Sequence, residues 1–178
     1  LTVRHGARTA VDAADLRVPA GEIVAVQGPN GAGKSSLLTA LALGAPGVRA
    51  TGRVALVPDA SDDLFVRDTV EAECRHADRR ARTTGTAAVF FDLLGMPADS
   101  PAATALSQRH PLDLSAGQRR CLAIAIQCAR RPAALLVDEP TCGLDPAARA
   151  LVAAALVRTA EAGAAVVFAT HDAEPAKA

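Results

Sequence analysis

Eight consecutive residues, Gly28-Pro29-Asn30-Gly31-Ala32-Gly33-Lys34-Ser35, satisfy the spacing G-x-x-x-x-G-K-[ST]. Glycines at these positions let successive backbone N–H groups converge on one point, and a helix starting there adds positive potential. Such a loop cradles phosphate oxygens. Lys34 would reach the β- and γ-phosphates, the Ser35 hydroxyl would ligate Mg²⁺, and Ser36 completes the turn. A second group follows downstream, where an apolar run ends in Asp138-Glu139. An aspartate closing a strand beside a phosphate loop holds Mg²⁺ through water, and an adjacent glutamate can orient or deprotonate the attacking water. The third group is Leu114-Ser115-Ala116-Gly117-Gln118, about 20 residues before Asp138. A hydroxyl and glycine N–H groups at the start of a helix can face a phosphate.

These groups need a scaffold, and the apolar pattern supplies one. Residues 22–26 form a short β-branched run before Gly28, which predicts a buried strand feeding the loop. Residues 35–43 predict a helix, stopped by Gly44, Pro46 and Gly47. A strand is expected at 53–57, then a polar turn at 59–63. Asp68 and Glu71 have the spacing of a capping box for a helix carrying Arg75, His76, Asp78, Arg79, Arg80 and Arg82. That charge run reads as a solvated face. Further helices are expected at 86–94 and 115–130, with a loop holding weak helix between them at 101–111. A strand at 134–137, a helix opened by Asp145-Pro146 and ending near 162, and a strand at 164–169 complete the pattern. Strands alternating with helices imply an α/β fold with a mostly parallel sheet and an inserted helical stretch.

Composition removes several classes. The chain has 178 residues, 19 basic and 19 acidic, and no formal net charge. That balance gives no electrostatic reason to expect a nucleic-acid partner. Half the residues are hydrophobic but only 2% are aromatic, with no Tyr or Trp. The apolar content excludes a disordered chain, and the length suits one domain. Arg158 and Glu161 interrupt the longest Ala-rich stretch, so no membrane span is expected. Residues 1–12 lack the apolar centre of a signal peptide. The chain opens on Leu1, which reads as part of a longer protein. Cys74, Cys121, Cys128 and Cys142 show neither C-x-x-C nor metal-ligand spacing, so they read as small thiols in a reducing compartment.

The phosphate loop, Leu114–Gln118, Asp138-Glu139-Pro140-Thr141, Gly143-Leu144-Asp145 and His171, in that order, resemble the ATP-binding cassette (ABC) family over nearly the whole chain. The resemblance implies a P-loop NTPase core of RecA-like type, spanning about 1–63 and 131–178, with a helical subdomain at about 64–130. It implies ATP and Mg²⁺ as ligands. Residues Leu114, Ser115, Ala116, Gly117 and Gln118 would be the signature motif, one position from L-S-G-G-Q, acting on the nucleotide of a second cassette in a head-to-tail dimer. Glu139 and His171 would be catalytic, His171 touching the γ-phosphate, and Asp145 would cross the dimer.

Three departures stand out. Where the family has a Q-loop glutamine, this chain reads Val57-Pro58-Asp59, and Asp59 could reach the metal as a charge. His5 stands where the family commonly places an aromatic against adenine. The chain ends seven residues past His171, where family members continue, so it reads as truncated.

The stretch Asp63 to Glu73, with Leu64-Phe65 and Thr69-Val70, is similar to the segment after the Q-loop in energy-coupling factor and cobalt-type transporter ATPases, and the whole to the C-terminal half of their tandem forms. The expectation is an ATPase peripheral to the cytoplasmic face of the membrane. It would drive transmembrane subunits that import a vitamin or transition-metal ion. Phe65 would lie near the surface gripping those subunits, or be an ordinary core aromatic. The alternatives are a non-transport ABC protein of nucleic acid or the ribosome, and a regulatory cassette that binds ATP without turning it over.

Overall fold

The structure is a computed structural model that describes residues 1–171; the last seven residues assigned above to the core lie outside them. Four strands form one all-parallel sheet: β3 (Ile23–Gln27), β4 (Val54–Val57), β5 (Ala134–Asp138) and β6 (Ala165–Thr170). Their spatial order is β3-β6-β5-β4. A second, two-stranded antiparallel sheet joins β1 (Val3–His5) to β2 (Arg8–Val11). The sequence reading did not anticipate this hairpin. Its strands are three and four residues long and carry Arg4, His5 and Arg8, too short and too charged to show alternation.

Period-2 alternation divides the parallel sheet between two cores. Ala55 and Val57 of β4, Leu135 and Val137 of β5 and Val166 of β6 face the larger one, with Leu122, Ile124, Phe90 and Val152. Leu136, Val167 and Ala169 face a smaller core with Leu38 of α1 (Lys34–Ala42). The phosphate loop and its helix therefore cover one face. On the other lie α5 (Ala116–Cys128) and α6 (Pro146–Glu161).

Between β4 and β5 run α2 (Val70–Ala81), α3 (Thr86–Leu93), α4 (Pro101–Ser107) and α5. Burial explains the α5 sequence: Cys121, Leu122, Ala123, Ile124 and Ala125 are all enclosed, so no polar stripe survives. The expected capping box at Asp68 is corrected. Thr69 is the cap, its hydroxyl accepting from Ala72 N at 3.1 Å. Extended backbone at Thr69 makes Val70 the first helical residue, and Glu73 instead accepts from the N–H groups of Val66 and Arg67. The weak helix expected at 101–111 is a real one, capped by Ser100 with Pro101 in its first turn.

Candidate functional site

All four parallel strands release their chains at the same edge of the sheet, and every strand of the reading ends there in a marked residue. Ligands of open α/β sheets bind outside the carboxyl ends of the strands. Along that edge lie the phosphate loop after β3, His171 after β6, Asp138-Glu139 closing β5, and Pro58-Asp59 after β4.

The loop is bound to its surroundings by backbone bonds. Gly28 N donates to Thr170 O at 3.3 Å, and Ala32 N to Pro29 O at 3.2 Å. Gly33 has φ 94°, and a Cβ there would collide with the carbonyl oxygen of Ala10 in β2. Only glycine combines that turn with that approach. The unanticipated hairpin thus presses against the end of the phosphate loop. It also carries His5, whose Nε2 lies 2.9 Å from Ser36 Oγ at the start of α1.

Lys34 is buried, and its ammonium donates to Gly28 O at 2.8 Å and Pro29 O at 3.3 Å. Its remaining partner is Glu139, 3.3 Å away. Glu139 Oε2 lies 2.8 Å from His171 Nδ1 and accepts from His171 N at 3.4 Å. One carboxylate therefore joins the phosphate-loop lysine to the histidine of the next strand. The Glu139 backbone sits at φ 44°, a left-handed conformation that costs a non-glycine residue about 1–3 kcal/mol. Such strain concentrates at functional sites.

Asp138 is buried, and its Oδ1 has no hydrogen-bond partner among the described residues. An orphaned carboxylate oxygen closing β5 and the exposed Ser35 hydroxyl in α1 are hard oxygen donors of the kind that Mg²⁺ prefers. The two residues fit the ion. Asp59 is exposed, and its Oδ1 lies 3.8 Å from Arg120. No group of three or more His, Cys, Asp or Glu able to hold a metal occurs among the described residues.

Residues Leu114–Gln118 open α5 on the far face of the sheet. Leu114 is buried in the larger core and anchors the turn. Ser115 and Gln118 form a capping box, Ser115 Oγ accepting from Gln118 N at 3.3 Å and Gln118 Oε1 from Ser115 N at 3.0 Å. Ser115 and Ala116 are exposed. Gly117 faces inward, where an added Cβ would lie 3.1 Å from Ala148 Cβ in α6. Its role here is close helix packing. Asp145 caps α6, accepting from Ala148 N at 2.8 Å.

Arg120 was not singled out by sequence. Its guanidinium, two residues beyond Gln118, is buried and donates to Pro58 O, Asp59 O and Glu139 O. Burial lowers its pKa from the usual value, opposed chiefly by Asp59 and then Asp62. Its place directly before the apolar run Cys121–Ile126 was the available signal.

A profile of the ABC transporter family matches residues 11–142, most of the chain. The chain belongs to the ABC transporter family. This cassette is 44% identical over 98% of its length to a Streptomyces coelicolor protein named as an ABC transporter ATP-binding protein. The cassette spans only 33% of that relative's length. It is 36% identical to the cobalt import ATP-binding protein CbiO of Rhodobacter capsulatus, over 97% of the cassette and 68% of CbiO. Among solved structures, cbiO1 from Clostridium perfringens, part of the ABC transporter complex cbiONQ, superposes with a TM-score of 0.74 at 23% identity. The match covers 97% of the cassette and 76% of that chain. At that identity the likeness carries the fold, and the P-loop NTPase architecture read from the sequence is the one found.

Proposed function

We propose that the cassette binds MgATP on Gly28–Ser36 and hydrolyses it with Glu139 and His171, opposite a second cassette, to power a membrane transporter. The observation that carries this reading is the chain of contacts Lys34–Glu139–His171 across the carboxyl edge of β3, β5 and β6. Lys34 and the loop N–H groups hold the β- and γ-phosphates. Ser35 and Asp138 hold Mg²⁺, which neutralises developing phosphate charge when bound. Glu139, oriented by His171, positions a water in line with the γ-phosphorus and takes its proton. His171 then faces the phosphate that leaves. His5, beside Ser36, offers an imidazole face to adenine.

Placement of Leu114–Gln118 on the face opposite α1 supports the head-to-tail reading, since the exposed Ser115 and Ala116 begin a helix packed on the other side of the sheet from the cassette's own loop. Each cassette then supplies two half-sites. Asp145, exposed at the start of α6, would lie at the junction. Loss of the γ-phosphate removes the contact between the halves, and the opening moves the membrane subunits.

The subtype we propose is energy-coupling-factor uptake of a vitamin or transition-metal ion. It is supported by residues 63–73 and by the likeness to CbiO. Phe65 is half-buried against the larger core, while its neighbours Leu64 and Val66 line a groove of about 170 Å³ with Glu73, His76 and Arg80. That groove is the surface we assign to a helix of the membrane subunit. No described helix is long and apolar enough to cross a membrane, and the proposed location is peripheral, at the cytoplasmic face. Intact Lys34, Asp138, Glu139 and His171 argue against a purely regulatory cassette. Affinity purification of the full-length protein from membranes tests the assignment. A polytopic membrane protein should co-purify, and recovery of RNA or DNA in its place would refute transport.

A further inference from the structure

Arg120 belongs to α5, yet its side chain leaves that helix and reaches two other segments. Nη1 donates to Pro58 O at 3.0 Å and to Asp59 O at 3.1 Å, both in the loop after β4. Nη2 donates to Glu139 O at 3.4 Å and lies 3.8 Å from Asp59 Oδ1. The residue is only 8% exposed. A planar guanidinium with five donors can hold several acceptors in one fixed geometry, which an ammonium cannot. Three pieces of chain therefore meet on one cation: the helix opened by Ser115, the loop at 58–59, and the residue proposed as general base.

The Glu139 end of this arrangement is the sensitive one. At φ 44° the backbone there must be held from outside. Glu139 N donates to Ala169 O at 2.9 Å, and the carbonyl on the other side of the same residue accepts from Cys142 N at 3.3 Å and from Arg120, the one contact that ties it to α5 and the 58–59 loop. Without Arg120 that carbonyl keeps only Cys142 N, three residues on in the same turn, so the peptide is held less firmly and the carboxylate would shift from His171 and Lys34. Asp59 supplies the counter-charge that a desolvated guanidinium needs.

We infer that Arg120 is a positioning residue that sets the orientation of Glu139, and that Asp59 acts on catalysis by pairing with Arg120. The inference rests on the reading of Glu139 as the base. It assigns Asp59 a role distinct from metal contact. It also gives the signature helix and the 58–59 loop a direct mechanical path to the catalytic carboxylate, so that a rigid movement of either one shifts Glu139.

The test uses the full-length protein in its native complex. Turnover of MgATP and the dissociation constant of a fluorescent ATP analogue are measured for wild type, Arg120→Gln, Arg120→Lys, Asp59→Asn and the Arg120→Gln/Asp59→Asn double variant. Arg120→Gln should lower kcat by about ten- to a hundredfold while changing nucleotide affinity less than about twofold. Lysine, which keeps the charge but not the fork, should restore part of the loss. Asp59→Asn should slow wild type yet add nothing to Arg120→Gln, because the two act as a unit. A wild-type kcat in Arg120→Gln would overturn the inference, as would parallel loss of kcat and affinity without rescue by lysine, or losses that multiply independently. If Arg120→Gln does not fold, Arg120→Lys and Asp59→Asn decide: wild-type turnover in both overturns it. Wild type that releases no phosphate overturns the reading of Glu139 as well, whereas active wild type with Arg120-independent turnover overturns this inference alone.

Discussion

The ammonium of Lys34 lies 3.3 Å from the carboxylate of Glu139, so the cation we propose for phosphate is paired with the group we propose for water. Both are largely enclosed, with side-chain exposures of 7% and 14%. On that proposal a γ-phosphate competes with Glu139 for the lysine, and its arrival frees the carboxylate. Neutralising that competitor has a measurable consequence. Glu139→Gln should bind ATP more tightly, by about three- to tenfold, a modest part of the coupling expected of a close pair in low dielectric. Calorimetric titration checks this. Unchanged or weaker affinity would show that the pair does not hold Lys34 back.

Gly33 is the joint between phosphate loop and hairpin. A Cβ there meets the Ala10 carbonyl in a conformation that L-residues avoid, so Gly33→Ala must displace either β2 or the loop. Nucleotide affinity should fall about tenfold or more while the far-UV circular dichroism stays that of wild type. Wild-type affinity would mean that the hairpin yields without moving the loop.

Gly117 tests how much of the signature motif serves packing. Valine there must push α5 from Ala148 and Leu151 of α6, which costs about 1–3 kcal/mol as overpacking does. Thermal unfolding should report that loss in the absence of nucleotide. Ala116→Gly, at an exposed position, should change stability by less than about 1 kcal/mol.

The cysteines divide by burial. Burial pushes Cys74 and Cys121 up to about 12 and Cys128 to about 11, from an ordinary 9.0. Folded thiols thus hold their protons beyond the point where unfolded ones lose them. Below pH 9 these groups leave stability unchanged with pH; from 9 toward 11–12 it falls, by up to about 1.4 kcal/mol per unit per thiol. Urea midpoints at pH 8 and 10.5 should separate, and less so in Cys121→Ala. A thiol reagent at pH 8 should label Cys142, the exposed cysteine, first, half-buried Cys128 more slowly, and Cys74 and Cys121 only after unfolding. Equal rates for all four would contradict the burial.

Much of the site was legible because its chemistry is compressed into short runs. The loop 28–35 needs glycines in a fixed order, and an aspartate ending an apolar strand is visible without knowing its neighbours. The parallel strands were legible as short apolar runs bounded by turn residues, although β3, at the sheet edge, leaves Ile23, Ala25 and Gln27 exposed. The hairpin was not, since its strands are held by pairing and by contact with Gly33 rather than by an apolar face. Arg120 escaped because its acceptors are main-chain oxygens, 19 to 62 residues away, which carry no side-chain signature. Asp59 looked like a metal candidate from its place after β4. Its partner in the fold is that same arginine.

Glu139, held between Lys34 and His171, is the proposed base that turns ATP over. Phosphate release from MgATP, measured on the intact complex for wild type and Glu139→Gln side by side, addresses it directly. Loss of a general base should lower kcat by about 10²–10⁴-fold with nucleotide still bound. Equal phosphate release by the two proteins would contradict it.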